Sequence, residues 1–211
     1  MTHPKPASLS TACLQVAELS CDRDDRELFQ HISFTLNFGE ALRVAGPNGS
    51  GKTTLMRGLV GLNLYLEGEV DWYQDGPAAY LYMGHRAGIS AHLTVLENLV
   101  FLAQIRGLQP SPKALQYALE AVALAPFDDS LGHQLSAGQQ RRIMLALLHL
   151  PGLPGCWVLD EPFTALDKQG AAALEAHLAR HCARGGAVIF STHQEPVALN
   201  FWTLELGVAA A

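Results

Sequence analysis

The stretch GPNGSGKTT, Gly46–Thr54, decides the fold, because it joins an apolar segment, ALRVA, to a helix-forming segment, TTLMRGLVGL. Glycines in such a loop let backbone N–H groups curve around a phosphate, and the following helix N-terminus adds partial positive charge. The order strand, loop and helix favours this interpretation over a chance glycine-rich turn. The phosphate-binding residues predicted here are Gly46, Pro47, Asn48, Gly49, Ser50, Gly51, Lys52, Thr53 and Thr54.

Two side chains of this phosphate loop have specific chemistry. The Lys52 ammonium group is expected to reach β- and γ-phosphates, and the Thr53 hydroxyl is expected to bind Mg²⁺. We therefore expect a bound nucleoside triphosphate. The pattern alone does not distinguish ATP from GTP.

The stretch CWVLDEP, Cys156–Pro162, is a continuous apolar strand followed by two carboxylates. In a parallel sheet, such a strand end lies beside the phosphate loop. We expect Asp160 to hold the hydrated Mg²⁺ and Glu161 to orient or deprotonate an attacking water. The alternative is that both acids are solvated groups at a strand end.

The order of the remaining segments predicts an α/β fold. The first third has short strands (CLQVAEL, HISFTLNF, ALRVAG), GEVDWYQDG adds a strand ending in an Asp75–Gly76 turn, and AAYLYMG follows. Helical patterns cover about Leu93 to Ala125, interrupted by GLQPSP, with a helix start at Pro112. The apolar face predicted for this second helix consists of Leu115, Leu119, Val122 and Ala123. Helix, strand, helix and strand then alternate from Ser136 to Thr192, which predicts a parallel sheet covered on both faces.

Composition excludes several classes of protein. The chain has 211 residues, 49% hydrophobic and 16% charged, and a formal net charge of −6, which argues against a general nucleic-acid binder. It has no apolar run of about 18 residues, and its first ten residues do not resemble a secretory signal. Four cysteines without metal-site spacing are expected to be reduced thiols, with Cys156 buried in a strand.

The stretch LSAGQQRR, Leu135–Arg142, combines small residues with the start of a helix, which is typical of an anion site. LSAGQ resembles the LSGGQ signature of ABC-type ATPases, with Ala137 replacing one glycine. The phosphate loop, this signature, Asp160–Glu161, TALD (Thr164–Asp167) and STHQ (Ser191–Gln194) follow in the family's order. The signature residues predicted to contact nucleotide are Ser136, Ala137, Gly138 and Gln139.

This resemblance implies one ABC-type P-loop NTPase domain over residues 1–211, with an antiparallel β patch near its N-terminus and a helical subdomain inserted at about 86–135. It implies ATP as the nucleotide and a head-to-tail homodimer with each ATP between the phosphate loop of one copy and the signature of the other. His193 would be the switch histidine near the γ-phosphate, and Asp167 would act across the dimer.

Longer stretches, among them MGHRAGISAHLTVLENL and QLSAGQQRRIMLALL, resemble the ATP-binding subunits of the haem exporters of cytochrome c maturation. The resemblance implies membrane subunits CcmB and CcmC as partners, indirect action on the haem chaperone CcmE, no nucleic-acid partner, and a peripheral position on the cytoplasmic face of the inner membrane. Alternatives are an ABC ATPase for another cargo, such as a lipid or drug, a soluble P-loop kinase, or a nucleotide-gated binding module without turnover.

Two positions depart from the family pattern. His85 stands where these ATPases have a glutamine that contacts Mg²⁺ and the attacking water, so we expect a catalytic, ATP-sensing role; a haem or metal ligand and plain packing are the alternatives. His92 is expected to be a solvated loop residue beside the partner surface. These ATPases usually stack the adenine on an aromatic residue, and the nearest match by spacing in this chain is Arg23. The Arg23 guanidinium either stacks on the base or is a solvated loop charge.

Overall fold

The computed structural model describes residues 11–23, 26–63, 65–73, 79–86 and 88–207. This part of the chain contains eight strands and five α-helices, with short 3-10 turns and loops between them. The strands are β1 (Ala12–Arg23), β2 (Arg26–Asn37), β3 (Ala41–Ala45), β4 (Glu67–Trp72), β5 (Tyr80–Met83), β6 (Cys156–Leu159), β7 (Ala187–Ser191) and β8 (Trp202–Glu205). The helices are α1 (Lys52–Leu59), α2 (Val95–Gln104), α3 (Pro112–Ala121), α4 (Ala137–Ala146) and α5 (Lys168–Ala183). The predicted Asp75–Gly76 turn and the first ten residues lie outside the described residues.

The first sheet is antiparallel, with strand order β2–β1–β4. Val16 on the central strand pairs with Phe34 of β2 and with Val70 of β4. Alternate residues of β1, Leu14 and Val16, are buried, because one face of the sheet packs on the core. The predicted N-terminal antiparallel patch is thereby confirmed.

The second sheet is parallel, with strand order β5–β6–β7–β3–β8. Every residue of β6 and β7 is buried, as the continuous apolar runs predict for strands covered on both faces. Strands β6, β7 and β3 are neighbours and run in the same direction, so their carboxyl ends meet at one edge. The two carboxylates, Ser191 and the phosphate loop therefore lie together at this edge.

Two local predictions need correction. The sequence patterns do not predict strand β8, although Trp202, Leu204 and Leu206 alternate with polar residues. Four residues at the end of an irregular segment give a weak pattern. Helix α3 ends at Ala121, so Val122 and Ala123 do not continue its apolar face. Ala123 has φ 56°, a left-handed conformation that stops the helix.

Helices α2, α3 and α4 pack against one another. Thr94 begins α2 with a capping box to Glu97, and Ser111 begins α3 with Pro112 at the first helical position, as predicted. The assignment of residues 86–135 as an inserted subdomain stays a prediction. Within the described ranges, no helix is both long and apolar enough to cross a bilayer.

Candidate functional site

A cavity of about 480 Å³ opens at the carboxyl edge of the parallel sheet. It brings together residues that are far apart in sequence and that the motifs single out independently. Its lining consists of Leu28, Asn48, Gly49, Gly51, Lys52, Thr53, Thr54, His85, Glu161, Thr164 and His193. One space is thus lined by part of the phosphate loop, by Glu161 after β6, and by His85 and His193.

Lys52 hydrogen-bonds to the backbone at the start of the phosphate loop. Its Nζ donates hydrogen bonds to the carbonyl oxygens of Gly46 at 2.7 Å and Pro47 at 3.0 Å, and the residue is only 9% exposed. Gly46 has φ 140°, and a Cβ there would lie 2.5 Å from the Leu206 carbonyl oxygen. Only glycine fits this contact with the segment after β8, so the unpredicted strand supports the loop.

Asp160 is buried and held between two hydroxyl groups. Thr53 Oγ1 donates to its Oδ2 at 2.9 Å, and Ser191 Oγ donates to its Oδ1 at 2.9 Å; the residue is 1% exposed. A carboxylate beside a hydroxyl is an oxygen donor set that suits Mg²⁺, a hard cation. The residues present therefore fit the predicted ion.

Glu161 follows directly but faces the cavity. Its backbone has φ 53°, an uncommon conformation for a residue other than glycine, and its N–H donates to Ser191 Oγ at 2.9 Å. Its Oε1 lies 3.4 Å from His193 Nε2, and its side chain is 15% exposed. The carboxylate is thus within reach of a reacting molecule in the cavity and of the candidate switch histidine.

Arg141 belongs to the site although no sequence motif indicates a role for it. This α4 residue is 6% exposed, and its guanidinium donates to carbonyl oxygens of Gly84, His85, Asp160 and Glu161 at 2.8–3.2 Å. Helical spacing was an available signal, since Arg141, Met144 and Leu145 follow the i, i+3, i+4 pattern of a buried face.

The signature residues form a compact helix start away from the cavity. Ser136 caps α4: its Oγ accepts from the Gln139 backbone N–H at 3.2 Å, and its own N–H donates to Gln139 Oε1 at 2.9 Å. A Cβ on Gly138 would lie 2.6 Å from the Ala165 carbonyl oxygen, so α4 packs closely on the TALD loop. In the described structure, Ser136, Ala137, Gly138 and Gln139 are absent from the lining of their own chain's cavity.

Asp167, the last residue of TALD, links this loop to α4 and α5. Its Oδ1 accepts from the Gly170 N–H at 2.7 Å, which caps α5, and its Oδ2 lies 2.8 Å from Arg142 Nη2. The hydrogen bond from Gly170 and the charge of Arg142 lower the pKa of Asp167. The carboxylate is therefore ionised and paired, although it is exposed.

His85 and His92, seven residues apart in sequence, have different surroundings. His85 lines the cavity, and its carbonyl oxygen accepts from Arg141. His92 is exposed, in a turn just before α2. Arg23 ends β1, but its side chain lies outside the described structure, so its proposed contact with adenine stays a prediction.

Comparisons with known proteins agree with this arrangement. The model of a family described as ABC transporter matches residues 29–164, more than half of the chain. The cytochrome c biogenesis ATP-binding export protein CcmA of Pseudomonas putida is 48% identical over 212 residues, covering 95% of this chain and 100% of that protein. The protein of the same name from Yersinia pseudotuberculosis is 45% identical, covering 86% of both chains.

A solved structure shows the same fold. The chain superposes on a putative ABC transporter ATP-binding protein from Pyrococcus furiosus with a TM-score of 0.79 and 25% identity, covering 92% of this chain and 96% of that one. The family match, the two relatives and the geometry of the cavity agree. The chain belongs to the CcmA family of ABC transporter ATP-binding proteins and is an ABC-type ATPase.

Proposed function

We propose that this chain is the ATP-hydrolysing subunit of a membrane ABC complex that exports haem, or releases a loaded haem chaperone, in cytochrome c maturation. The observation that carries the proposal is the cavity in which Lys52, Thr53, Glu161 and His193 converge. The relatives' name, cytochrome c biogenesis ATP-binding export protein, supports the assignment to this process.

The proposed mechanism assigns one task to each side chain. Thr53 and Asp160 would hold Mg²⁺, which, when bound, neutralises charge on the phosphates. Lys52 binds the β- and γ-phosphates. Glu161 orients the attacking water and accepts its proton, and His193, 3.4 Å from that carboxylate, senses the γ-phosphate.

We further propose that two copies pair head to tail. The signature residues are ordered by their own capping box, yet they do not line their own chain's cavity. The N-terminus of α4 is an anion-binding element, so a second copy's nucleotide is the partner that suits it. Asp167 lies in the loop packed against this helix start and would contact the other copy.

The membrane partners proposed are CcmB and CcmC, with indirect action on the haem chaperone CcmE, at the cytoplasmic face of the inner membrane. The word export in the relatives' name supports a membrane complex. Co-purification of the full-length chain from membranes tests this proposal. Recovery of a lipid or drug transporter, without the Ccm proteins, would contradict the haem assignment while leaving the ATPase intact.

The substitution Glu161→Gln tests the enzymatic mechanism. We expect kcat for ATP to fall about 10²- to 10⁴-fold, because the amide cannot accept the water's proton, while ATP binding persists. The matched control is Glu195→Gln, which removes an 86% exposed carboxylate two residues beyond His193. The measurement is phosphate release at saturating ATP by the chain with its co-purified membrane proteins. An unchanged rate in Glu161→Gln would refute the assigned role.

A further inference from the structure

Arg141 bonds to two separate chain segments at the carboxyl edge of the parallel sheet. Its Nη2 donates to the carbonyl oxygens of Asp160 at 2.9 Å and Glu161 at 2.8 Å. Its Nη1 donates to those of Gly84 and His85, both at 3.2 Å. One planar guanidinium therefore connects the segment after β6 with the segment after β5.

Burying this cation requires the hydrogen bonds it makes. Arg141 is 6% exposed, and a charge removed from water is tolerated only when polar partners replace the water. Burial lowers the pKa of Arg141, and the charges of Asp160 and Glu161 oppose that shift, so the guanidinium stays protonated. The four carbonyl oxygens thus replace water at the two terminal nitrogens, and the nearby charges of Asp160 and Glu161 favour the cation; Nε has no hydrogen-bond partner within the described structure.

One of the carbonyl groups that Arg141 binds belongs to Glu161, whose backbone geometry is unusual. Glu161 has φ 53°, a conformation that costs on the order of 1–3 kcal/mol and persists only where the surroundings enforce it. Its N–H is held by Ser191 Oγ and its carbonyl oxygen by Arg141. Both ends of the residue are therefore fixed, which aims its carboxylate into the cavity.

The same guanidinium belongs to the signature helix. Arg141 lies five residues after Ser136, within the first two turns of α4, and these turns move as one rigid element. A displacement of the helix start, where a second copy's nucleotide would bind, would therefore be transmitted to Glu161 and to the His85 backbone.

We propose that Arg141 is a positioning residue that couples the signature helix to the hydrolytic site, by fixing the backbone of Glu161 and of His85 in one arrangement. The proposal rests on the proposed ATPase mechanism and extends it. Arg141 is not among the described residues that line the cavity; it acts through the residues whose carbonyl groups it holds.

The experiment compares Arg141→Met and Arg141→Lys with Arg106→Met in the full-length chain purified with its membrane proteins. Arg106 is the control, because it is a partly buried arginine that also bonds to carbonyl oxygens, those of Leu102 and Tyr82, but not to catalytic residues. The measurements are ATP affinity, kcat, KM and melting temperature. Glu161→Gln is measured alongside as a reference.

We expect both methionine variants to melt at lower temperature and to bind ATP normally. Arg141→Met should lose about 10²-fold in kcat at unchanged KM, since small displacements of a catalytic group have effects of this size. Arg106→Met should keep the wild-type kcat. Arg141→Lys should remain impaired, because an ammonium group cannot bridge both carbonyl pairs as a planar fork does. If Arg141→Met does not fold, the lysine variant provides the comparison.

Two results would overturn the proposal. Equal kcat values per folded molecule in Arg141→Met and Arg106→Met would reduce Arg141 to a structural role. Full activity of Arg141→Lys would mean that charge alone suffices. If Glu161→Gln hydrolyses ATP normally, the proposed mechanism itself fails, and this outcome is distinguishable from the other two.

Discussion

Asp160 and Glu161 are adjacent in sequence, yet their surroundings differ in a way that suits the two tasks proposed for them. Asp160 is buried between the hydroxyl groups of Thr53 and Ser191, which hold its carboxylate in one orientation. Glu161 presents its carboxylate to the cavity, next to His193. Metal binding requires an oxygen ligand held in a fixed orientation, as Asp160 is. Accepting a proton from water requires a group that is open to water, as Glu161 is.

His85 gives a prediction at the scale of one residue. His85 lines the cavity at the position where the family has glutamine, so we expect His85→Gln to retain ATPase activity, because an amide N–H can donate a hydrogen bond as an imidazole N–H can. His85→Ala should reduce the stimulation of ATP hydrolysis by the membrane proteins. The measurement is the ATPase rate with and without them.

The control for this prediction is His31→Ala, which removes an exposed histidine paired with Glu18 in the antiparallel sheet. It should leave the stimulation unchanged. Loss of bound haem as the only effect of both His85 changes would contradict an ATP-sensing role.

At the scale of elements, helix α4 and the TALD loop behave as one unit. Gly138 lets the first turn of α4 approach the Ala165 carbonyl, and Arg142 pairs with Asp167 one turn later. The surface ion pair contributes little stability by itself. The close backbone approach at Gly138 is therefore the contact that fixes the loop.

Gly138→Ala tests this contact. A Cβ placed 2.6 Å from a backbone oxygen forces the loop to move, so we expect a loss of about 1–3 kcal/mol in the free energy of unfolding and a lower ATPase rate. Ala137→Gly, one residue earlier, restores the family's glycine and should keep the wild-type rate. Urea unfolding and phosphate release are the measurements. A Gly138→Ala protein as stable and active as the wild type would contradict the packing argument.

The same elements show what sequence patterns reveal. The phosphate loop, β6 and β7 were predictable because a continuous apolar strand followed by polar residues is a local signal. Strand β8 was missed because it is short and has an exposed face. The function of Arg141 was missed because its partners are backbone carbonyls of two distant segments, and no residue type in the sequence marks such an acceptor.

At the scale of the whole molecule, the proposed head-to-tail pairing divides the nucleotide site into two halves on each chain. One is the cavity with the phosphate loop and Glu161; the other is the α4 start with Ser136, which does not line that cavity. A head-to-tail pair of copies would complete both sites at once. Nucleotide would then hold the dimer together, and hydrolysis would release it.

Sedimentation velocity of the full-length Glu161→Gln chain, with and without ATP and Mg²⁺, tests this claim most directly. Because binding persists without hydrolysis, we predict a shift from the 22.7 kDa of one chain to twice that mass only when ATP is present. Adding Lys52→Ala, which removes the phosphate-binding amine, should abolish the shift. A single-chain mass at saturating ATP, or the same dimer without ATP, would contradict the account.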